Sequence, residues 1–174
     1  MNVALTGFMG AGKTTTGRRL ARLLDLDFID TDAEIERRHG PISDIFKVHG
    51  EPEFRKIEAA VIAELSRSGP HVIAVGGGAV VDAQNRQELR QSGVIVHLSV
   101  SAQSAWHRVS HRRHRPLLGE QPSLATVTAL LEARAAAYAD CDLTVRVDHR
   151  TPLGTAKIIA RWYDDELNRR MQNR

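Results

Sequence analysis

The chain has 174 residues, of which 42% are hydrophobic and 26% charged, and its formal net charge at pH 7 is +3. This balance excludes an intrinsically disordered chain and fits one globular domain over residues 1–174. No apolar stretch reaches membrane-spanning length, no basic-then-apolar leader precedes the first strand, and the single cysteine, Cys141, excludes an internal disulfide. We therefore expect a cytoplasmic protein without a membrane partner.

The first predicted strand, over residues 3–6, leads into the glycine-rich loop Gly7-Phe8-Met9-Gly10-Ala11-Gly12-Lys13-Thr14. A helix predicted over about residues 12–24 follows, and this order of strand, loop and helix is typical of a phosphate-binding loop. Glycines let backbone N–H groups surround phosphate oxygens, and the helix N-terminus adds partial positive charge. Lys13 can reach the terminal phosphates of a nucleotide, and the Thr14 hydroxyl can bind Mg²⁺.

A second predicted strand, Phe28-Ile29, ends at Asp30-Thr31-Asp32. Two acids at a strand end near a phosphate loop can bind Mg²⁺, directly or through water, and can accept a hydrogen bond from an attacking hydroxyl. A structural alternative stays open. Thr31 or Asp32 can instead cap a helix over about residues 32–39, which leaves Asp30 as a solvated turn residue.

An inserted block over residues 42–68 separates this helix from the next strand, and its periodicity predicts two further helices. Apolar residues line one face of each helix: Ile42, Ile45 and Phe46 in the first, and Phe54, Ile57, Val61, Ile62 and Leu65 in the second. Arg55 lies in the second helix, in a pattern of charges that also fits an exposed helix face.

Three consecutive glycines, Gly76-Gly77-Gly78, follow the third predicted strand, His71–Val75. Glycine here is costly in conformational entropy. Either a group approaches the backbone closely, and a ligand is one such group, or the turn needs a positive φ angle. The residues alone leave both explanations open.

The remaining predicted elements are a helix over 82–92, a strand over 94–98, a helix from Ser101 to about Arg108, a loop over 109–121, a helix over 123–139, a strand over 143–147 and a last helix opened by Thr151-Pro152. This alternation predicts an α/β fold with a parallel sheet covered on both faces. Ligands bind beyond the carboxyl ends of such strands, so the phosphate loop, the acidic pair and the three glycines should share one edge.

The segment Arg108–Arg115 is dense in arginine and histidine and leads into Pro116. One interpretation is a nucleic-acid-binding patch, but the run is short and contains no interleaved aromatic residues. The other is a mobile lid that carries Arg115 over the phosphates and excludes water.

Together these motifs resemble the shikimate kinases over nearly the whole chain, from about Val3 to Pro152. The resemblance rests on the phosphate loop, Asp30-Thr31-Asp32, Phe54-Arg55, Gly76-Gly77-Gly78, Arg115-Pro116-Leu117-Leu118 and Arg134. It implies a P-loop kinase with a five-stranded parallel sheet in the order 2-3-1-4-5, a helical substrate-binding insert over about residues 32–66 and a lid over about residues 109–122. It also implies ATP-dependent phosphorylation of the 3-hydroxyl of shikimate, with Mg²⁺ as cofactor, in the biosynthesis of chorismate and aromatic amino acids.

The resemblance also implies a role for each site residue. ATP would bind to Gly10, Ala11, Gly12, Lys13, Thr14, Thr15, Arg115 and Arg150, and shikimate to Asp32, Arg55, Gly76, Gly77, Gly78 and Arg134. Arg55 and Arg134 would hold the carboxylate of shikimate, and Asp32 would be the candidate base. Asp32, Lys13 and Arg115 are the implied catalytic residues, and Thr14 and, through water, Asp30 would bind the metal.

Four alternatives remain beside this interpretation. A gluconate kinase or another close relative could use the same scaffold, and a nucleic-acid-binding protein could use the basic loop. A GTP-binding switch would need an Asn-Lys-x-Asp motif, which the chain lacks. A non-catalytic regulator would be favoured by loss of Lys13 or Asp32, and both are present. We expect a monomer that binds shikimate and ATP and no nucleic acid.

Overall fold

A computed structural model of the protein describes residues 1–110 and 123–172. Its centre is a five-stranded sheet in the order β2-β3-β1-β4-β5, and every pairing is parallel. The predicted fold class and strand order are therefore confirmed. The strands are β1 Asn2–Thr6, β2 Asp27–Asp30, β3 His71–Ala74, β4 Gly93–Ser99 and β5 Leu143–Arg146.

Parallel strands all start at the same end of the sheet, so each connection must cross a face of the sheet to reach the start of the next strand. Helices make these crossings here, and they cover both faces of the sheet. They are α1 Lys13–Leu24, α2 Thr31–His39, α3 Ile42–Arg67, α4 Ala83–Ser92, α5 Ala102–Val109, α6 Leu124–Ala139 and α7 Pro152–Gln172. A short 3-10 turn over Ala79–Val81, which the sequence analysis did not predict, precedes α4. No helix among residues 1–110 and 123–172 is both long enough and apolar enough to cross a membrane.

The central strand β1 is buried along its whole length and divides the core in two. Val3 and Leu5 face a cluster that includes residues of α1, α5 and α7, whereas Ala4 faces a cluster built from α2, α3 and α4. The register pairs Leu5 with Ala74 of β3 and with Val96 of β4. The carboxyl ends of β1 and β3 therefore lie within one residue of each other, and β4 continues past them to Ser99.

The two helices predicted in the inserted block are present as two segments of α3, joined at Gly50. Gly50 has φ 77° and ψ 174°, which lies outside the helical region and breaks the hydrogen-bonding pattern. The second segment of α3 packs Phe54, Val61 and Ile62 into the core, as predicted. The block thus folds over the α2 side of the sheet and carries Arg55 toward the strand ends.

The residues predicted to cap α2 are wrong. Asp30, not Thr31 or Asp32, is the N-cap, and its Oδ1 accepts a hydrogen bond of 3.2 Å from the Asp32 amide. Thr31 is unavailable for capping because its buried hydroxyl accepts a 3.1 Å hydrogen bond from the Gly76 amide. This bond ties the start of α2 to the glycine turn after β3.

Candidate active site

The phosphate loop joins β1 to α1 through glycines that no other residue could replace without strain. Gly7, Gly10 and Gly12 have φ angles of 143°, 82° and 88°. A Cβ atom on Gly7 would also lie 2.6 Å from the Leu98 carbonyl oxygen of β4. The α5 residue Arg108 donates a 3.0 Å hydrogen bond to the Gly10 carbonyl and so supports the loop from outside.

Lys13, the first residue of α1, folds its side chain back along this loop. Its Nζ donates to the Gly7 carbonyl at 2.7 Å and to the Phe8 carbonyl at 3.4 Å. The ammonium group therefore lies beside the loop whose amides can bind phosphate, where it can pair with an anionic ligand. Thr15 is exposed on the first turn of α1, and Ala11 is buried beneath the loop.

Thr14 and Asp30 lie together at the edge of the loop. The Thr14 hydroxyl donates a 2.7 Å hydrogen bond to Oδ2 of Asp30, which connects the start of α1 to the end of β2. Hydroxyl and carboxylate oxygens are hard ligands of the kind that Mg²⁺ prefers, and an ion bound by one or two such groups keeps several waters. The residue pair therefore fits a magnesium ion held by Thr14 and, through water, by Asp30.

Two acids face Gly76, the first residue of the glycine turn after β3. A Cβ atom on Gly76 would lie 3.0 Å from Oδ1 of Asp32 and would overlap Oε1 of Glu58. Glu58 is completely buried, and its Oε1 has no hydrogen-bond partner among residues 1–110 and 123–172. Burial raises the pKa of the Glu58 carboxyl, the Arg55 guanidinium opposes the rise, and the charge of Asp32 adds to it.

Arg55 lies across Gly78 and is held by two glutamates of its own helix. Its Nη1 bonds to Oε2 of Glu58 at 2.6 Å, and its Nη2 bonds to Oε1 of Glu51 at 2.9 Å. A Cβ atom on Gly78 would lie 2.6 Å from Nη2 of Arg55. The third glycine thus makes room for the guanidinium, which is not on an exposed face as the charge pattern alone would allow.

Arg134 of α6 also contacts the glycine turn. Its side chain is only 6% exposed, and its Nη1 donates to the Gly77 carbonyl at 3.1 Å. Tyr138, one turn further along α6, donates to the same carbonyl at 2.6 Å. A Cβ atom on Gly77 would lie 3.4 Å from the Gly7 carbonyl oxygen, so the Gly77 peptide lies between α6 and the phosphate loop.

Gly76, Gly77 and Gly78 do not have left-handed φ angles. The turn therefore does not need glycine for a positive φ. The close approach of the Asp32 and Glu58 carboxylates to the first glycine, and of the Arg55 guanidinium to the third, accounts for the absence of Cβ atoms. This resolves the two explanations that the residues alone left open.

A cleft of about 460 Å³ opens over this turn, and its size suits a small metabolite. Its lining includes Arg55, Gly78 and Arg134 together with Glu51, Asp82 and Leu130. The guanidinium groups of Arg55 and Arg134 in this lining give the cleft donors of the kind that bind a carboxylate.

Two other predicted site residues lie apart from this cluster. Arg150 is exposed in the turn between β5 and α7, where its amide donates to the Val147 carbonyl at 3.4 Å. Arg115 and the greater part of the predicted lid, residues 111–122, lie outside the described residues, and Val109 is the last residue of α5.

Three residues of the site were missed in the sequence: Glu58 and Tyr138, which are buried, and His97, which is half-buried. The ring of His97 on β4 stacks on Tyr138, with the ring centroids 4.7 Å apart. Burial and the nearby charge of Lys13 lower the pKa of His97 to about 4. The sequence signals were weak, because Glu58 continues a helical charge pattern and Tyr138 shares only an i, i+4 spacing with Arg134.

Comparisons with known proteins show the family of this chain. The family model described as shikimate kinase matches residues 9–164. The shikimate kinase of Caldicellulosiruptor bescii is 42% identical over 161 residues, covering 91% of this chain and 94% of the relative. That of Nitrobacter winogradskyi is 47% identical over 145 residues, covering 83% and 68%.

Among solved structures, the shikimate kinase from Acinetobacter baumannii in complex with shikimate has a TM-score of 0.90 and 36% identity, and the match covers 95% of this chain and 93% of that one. A gluconokinase from Sinorhizobium meliloti 1021 has a TM-score of 0.54 and 22% identity over 99% and 94% of the two chains, so it shares the fold alone. The family match and the relatives agree with the parallel-sheet fold described above, and the chain belongs to the shikimate kinase family.

Proposed function

We propose that this chain transfers the terminal phosphoryl group of ATP to the 3-hydroxyl of shikimate, giving shikimate 3-phosphate and ADP, on the route to chorismate and the aromatic amino acids. One observation carries the proposal. The phosphate loop follows β1, the acceptor turn Gly76–Gly78 follows β3, and these two strands are neighbours in the sheet. A phosphoryl donor and a small anionic acceptor would therefore meet at one edge of the sheet.

The acceptor's carboxylate would bind to Arg55 and Arg134. Both guanidinium groups line the same cleft and lie on consecutive residues of the glycine turn. Each guanidinium carries five N–H donors, and the contacts described above leave donors of Arg134 available for a ligand. Gly76 and Gly77 would offer backbone groups to the ring hydroxyls. Gly78 has no side chain and so leaves room for the Arg55 guanidinium.

Asp32 would accept a hydrogen bond from the hydroxyl that attacks, and it is the proposed base. Because phosphoryl transfer passes through a loose transition state, orienting this hydroxyl matters more than removing its proton early. Lys13 would pair with the terminal phosphate oxygens, for which the amides of Gly10, Ala11, Gly12, Thr14 and Thr15 would form the cradle. Thr14 and Asp30 would hold Mg²⁺, which when bound neutralises charge on the phosphates.

The remaining assignments rest on the family resemblance. Arg115 would close over the phosphates from a lid over about residues 109–122, and Arg150 would lie near the adenine. Residues 1–174 would form one kinase domain with the substrate-binding insert over about residues 32–66. We further propose that the protein acts as a cytoplasmic monomer without a nucleic-acid or membrane partner.

The test is ADP release from Mg·ATP with shikimate, gluconate, a set of nucleoside monophosphates and no acceptor compared side by side. We expect turnover with shikimate alone, and a phosphorus NMR signal that assigns the product to the 3-position. Turnover with gluconate instead would keep the phosphate site and remove the assignments of Arg55 and Arg134. Absence of acceptor-dependent turnover would contradict the kinase function.

A further inference from the structure

The phenol of Tyr138 is buried inside the site but belongs to neither substrate-binding set assigned above. The residue is 3% exposed, and its hydroxyl donates to the Gly77 carbonyl at 2.6 Å. Arg134 donates to the same oxygen at 3.1 Å from one helical turn earlier. Two donors from one helix therefore saturate a single carbonyl of the acceptor turn.

The surroundings keep this phenol in one orientation. His97 stacks on the Tyr138 ring with an angle of 16° between the ring planes. Burial raises the pKa of Tyr138, with the Arg134 guanidinium opposing the rise, so the hydroxyl keeps its proton as a donor. Burial and the charge of Lys13 lower the pKa of His97, so the stacked ring is neutral near neutral pH and does not repel Arg134.

We propose that Tyr138 is a positioning residue for the acceptor, a role that rests on the proposed function. Its hydroxyl shares the Gly77 carbonyl with Arg134, and so fixes both the glycine peptide and the guanidinium. With one N–H committed to Gly77, the remaining N–H groups of Arg134 are presented to the cleft that this residue lines. Without the phenol, Arg134 would be the one remaining donor to this half-buried carbonyl among residues 1–110 and 123–172, and its side chain would lose its fixed orientation.

The variant Tyr138→Phe removes the hydroxyl and keeps the ring on His97. The chain provides a matched control, because its only other tyrosine, Tyr163, is 7% exposed and donates to the Met1 carbonyl at 2.7 Å. Tyr163→Phe therefore loses a hydrogen bond of the same kind outside the proposed site. We expect the two variants to lose similar thermal stability.

Only Tyr138→Phe should change the kinetics. We expect its KM for shikimate to rise about tenfold, as for the loss of one buried hydrogen bond, with kcat and the KM for ATP changed less than about twofold. In an Arg134→Ala background, Tyr138→Phe should add little further change, because the phenol acts through that arginine. Equal changes in both KM values, or fully additive effects, would overturn the proposal.

A second measurement needs no change at position 138. With tyrosine labelled with carbon-13 at Cζ, the protein gives two signals, and Tyr163→Phe assigns them. Saturation with shikimate in the absence of nucleotide should shift the Tyr138 signal and leave the Tyr163 signal in place. An unmoved Tyr138 signal would contradict the role. Wild-type turnover tests the proposed function separately, and its absence would remove both that function and this role.

Discussion

At the scale of single residues, the acceptor side contains an unusual balance of charge around Glu58. This carboxylate is completely buried, faces Asp32 across Gly76 and has the Arg55 guanidinium as its ion-pair partner. A buried acid beside a second acid is costly unless cations compensate it. Arg55 thus has two tasks in our interpretation: it opposes the rise in the pKa of Glu58 that burial causes, and it binds the carboxylate of the substrate.

The first task predicts a stability loss that depends on pH. Because burial raises the pKa of Glu58, the folded chain binds this proton more tightly than the unfolded chain, and stability falls as pH rises through the interval between the two pKa values. Arg55→Met removes the main opposing charge, so the raised pKa rises further. Urea unfolding should therefore show a loss about 2 kcal/mol larger near pH 7.5 than near pH 5.

Two further variants make this prediction specific. In Arg55→Met/Glu58→Gln the pH dependence should disappear, because no buried carboxylate remains to titrate. Arg38 is a matched control: its side chain is 26% exposed against 27% for Arg55, and it also pairs with two glutamates, Glu34 and Glu64. The Arg38 guanidinium lowers the pKa of both partners, so Arg38→Met should lose the same stability at the two pH values. If the stability lost in Arg55→Met does not vary with pH, Arg55 does not compensate the charge of Glu58.

At the scale of elements, the glycine turn after β3 gathers side chains from α2, α3 and α6 around three consecutive peptides. The three positions are not equivalent. At Gly76 a Cβ atom would meet the two carboxylates, whereas at Gly77 its nearest neighbours would lie at 3.4 and 3.6 Å, an ordinary contact distance. The turn should therefore tolerate an added methyl group at Gly77 but not at Gly76.

We expect Gly76→Ala to lower the free energy of unfolding by about 2–3 kcal/mol, as overpacking does, and to raise the KM for shikimate because Asp32 must move. The neighbouring Gly77→Ala should cost less than about 1 kcal/mol, since no φ strain or overlap arises there. Denaturant unfolding and steady-state kinetics of the two variants check this. Greater damage at Gly77 than at Gly76 would show that our account of the turn is wrong.

Local chemistry made most of these elements predictable. Gly40-Pro41, Ser68-Gly69-Pro70 and Ser101 mark helix ends, and the apolar periodicity of the inserted block indicated two helices. The cap of α2 was not predictable in the same way, because Thr31, Asp30 and Asp32 are all good capping residues. The choice depends on a hydrogen bond that the Gly76 amide donates to the Thr31 hydroxyl, 45 residues away in the sequence.

The acceptor site was less predictable than the phosphate loop, because it also depends on contacts between residues far apart in the sequence. The loop is one continuous segment whose chemistry is local, whereas Arg55, Glu58, Arg134 and Tyr138 come from two helices. A buried ion pair has the same sequence pattern as an exposed one, and only the packing of α3 against the sheet separates them. The family resemblance implied roles for Arg55 and Arg134, which stay predictions, and it did not indicate Glu58 or Tyr138.

At the scale of the whole molecule, the two substrates should stabilise the fold independently through separate halves of the site. A ligand at about a hundred times its Kd adds about 2.7 kcal/mol, and in a chain of this size each kcal/mol raises Tm by about 2–4 °C. We therefore expect shikimate alone and Mg·ADP alone each to raise Tm by about 5–10 °C. Gluconate should produce no shift.

The variant Lys13→Met should keep the shift with shikimate and lose most of the shift with Mg·ADP. Lys157→Met, at an exposed position of α7, is the matched control and should keep both. Calorimetric scans of the three proteins with each ligand measure these shifts. Loss of the shikimate shift in Lys13→Met would mean that the two halves of the site are not independent.

The register of the central strands has a consequence for how such an enzyme can change. Leu5 of β1 pairs with Ala74 of β3, and each residue precedes by two positions a loop to which we assign one of the two substrates. The spacing between adjacent strands, about 4.8 Å, therefore sets the separation of the two loops. This separation does not depend on any side chain. Substitutions in the insert and in α6 can alter which acceptor is chosen while the path of the phosphoryl group keeps its length. Selection for a new acceptor would thus begin with the transfer distance already set.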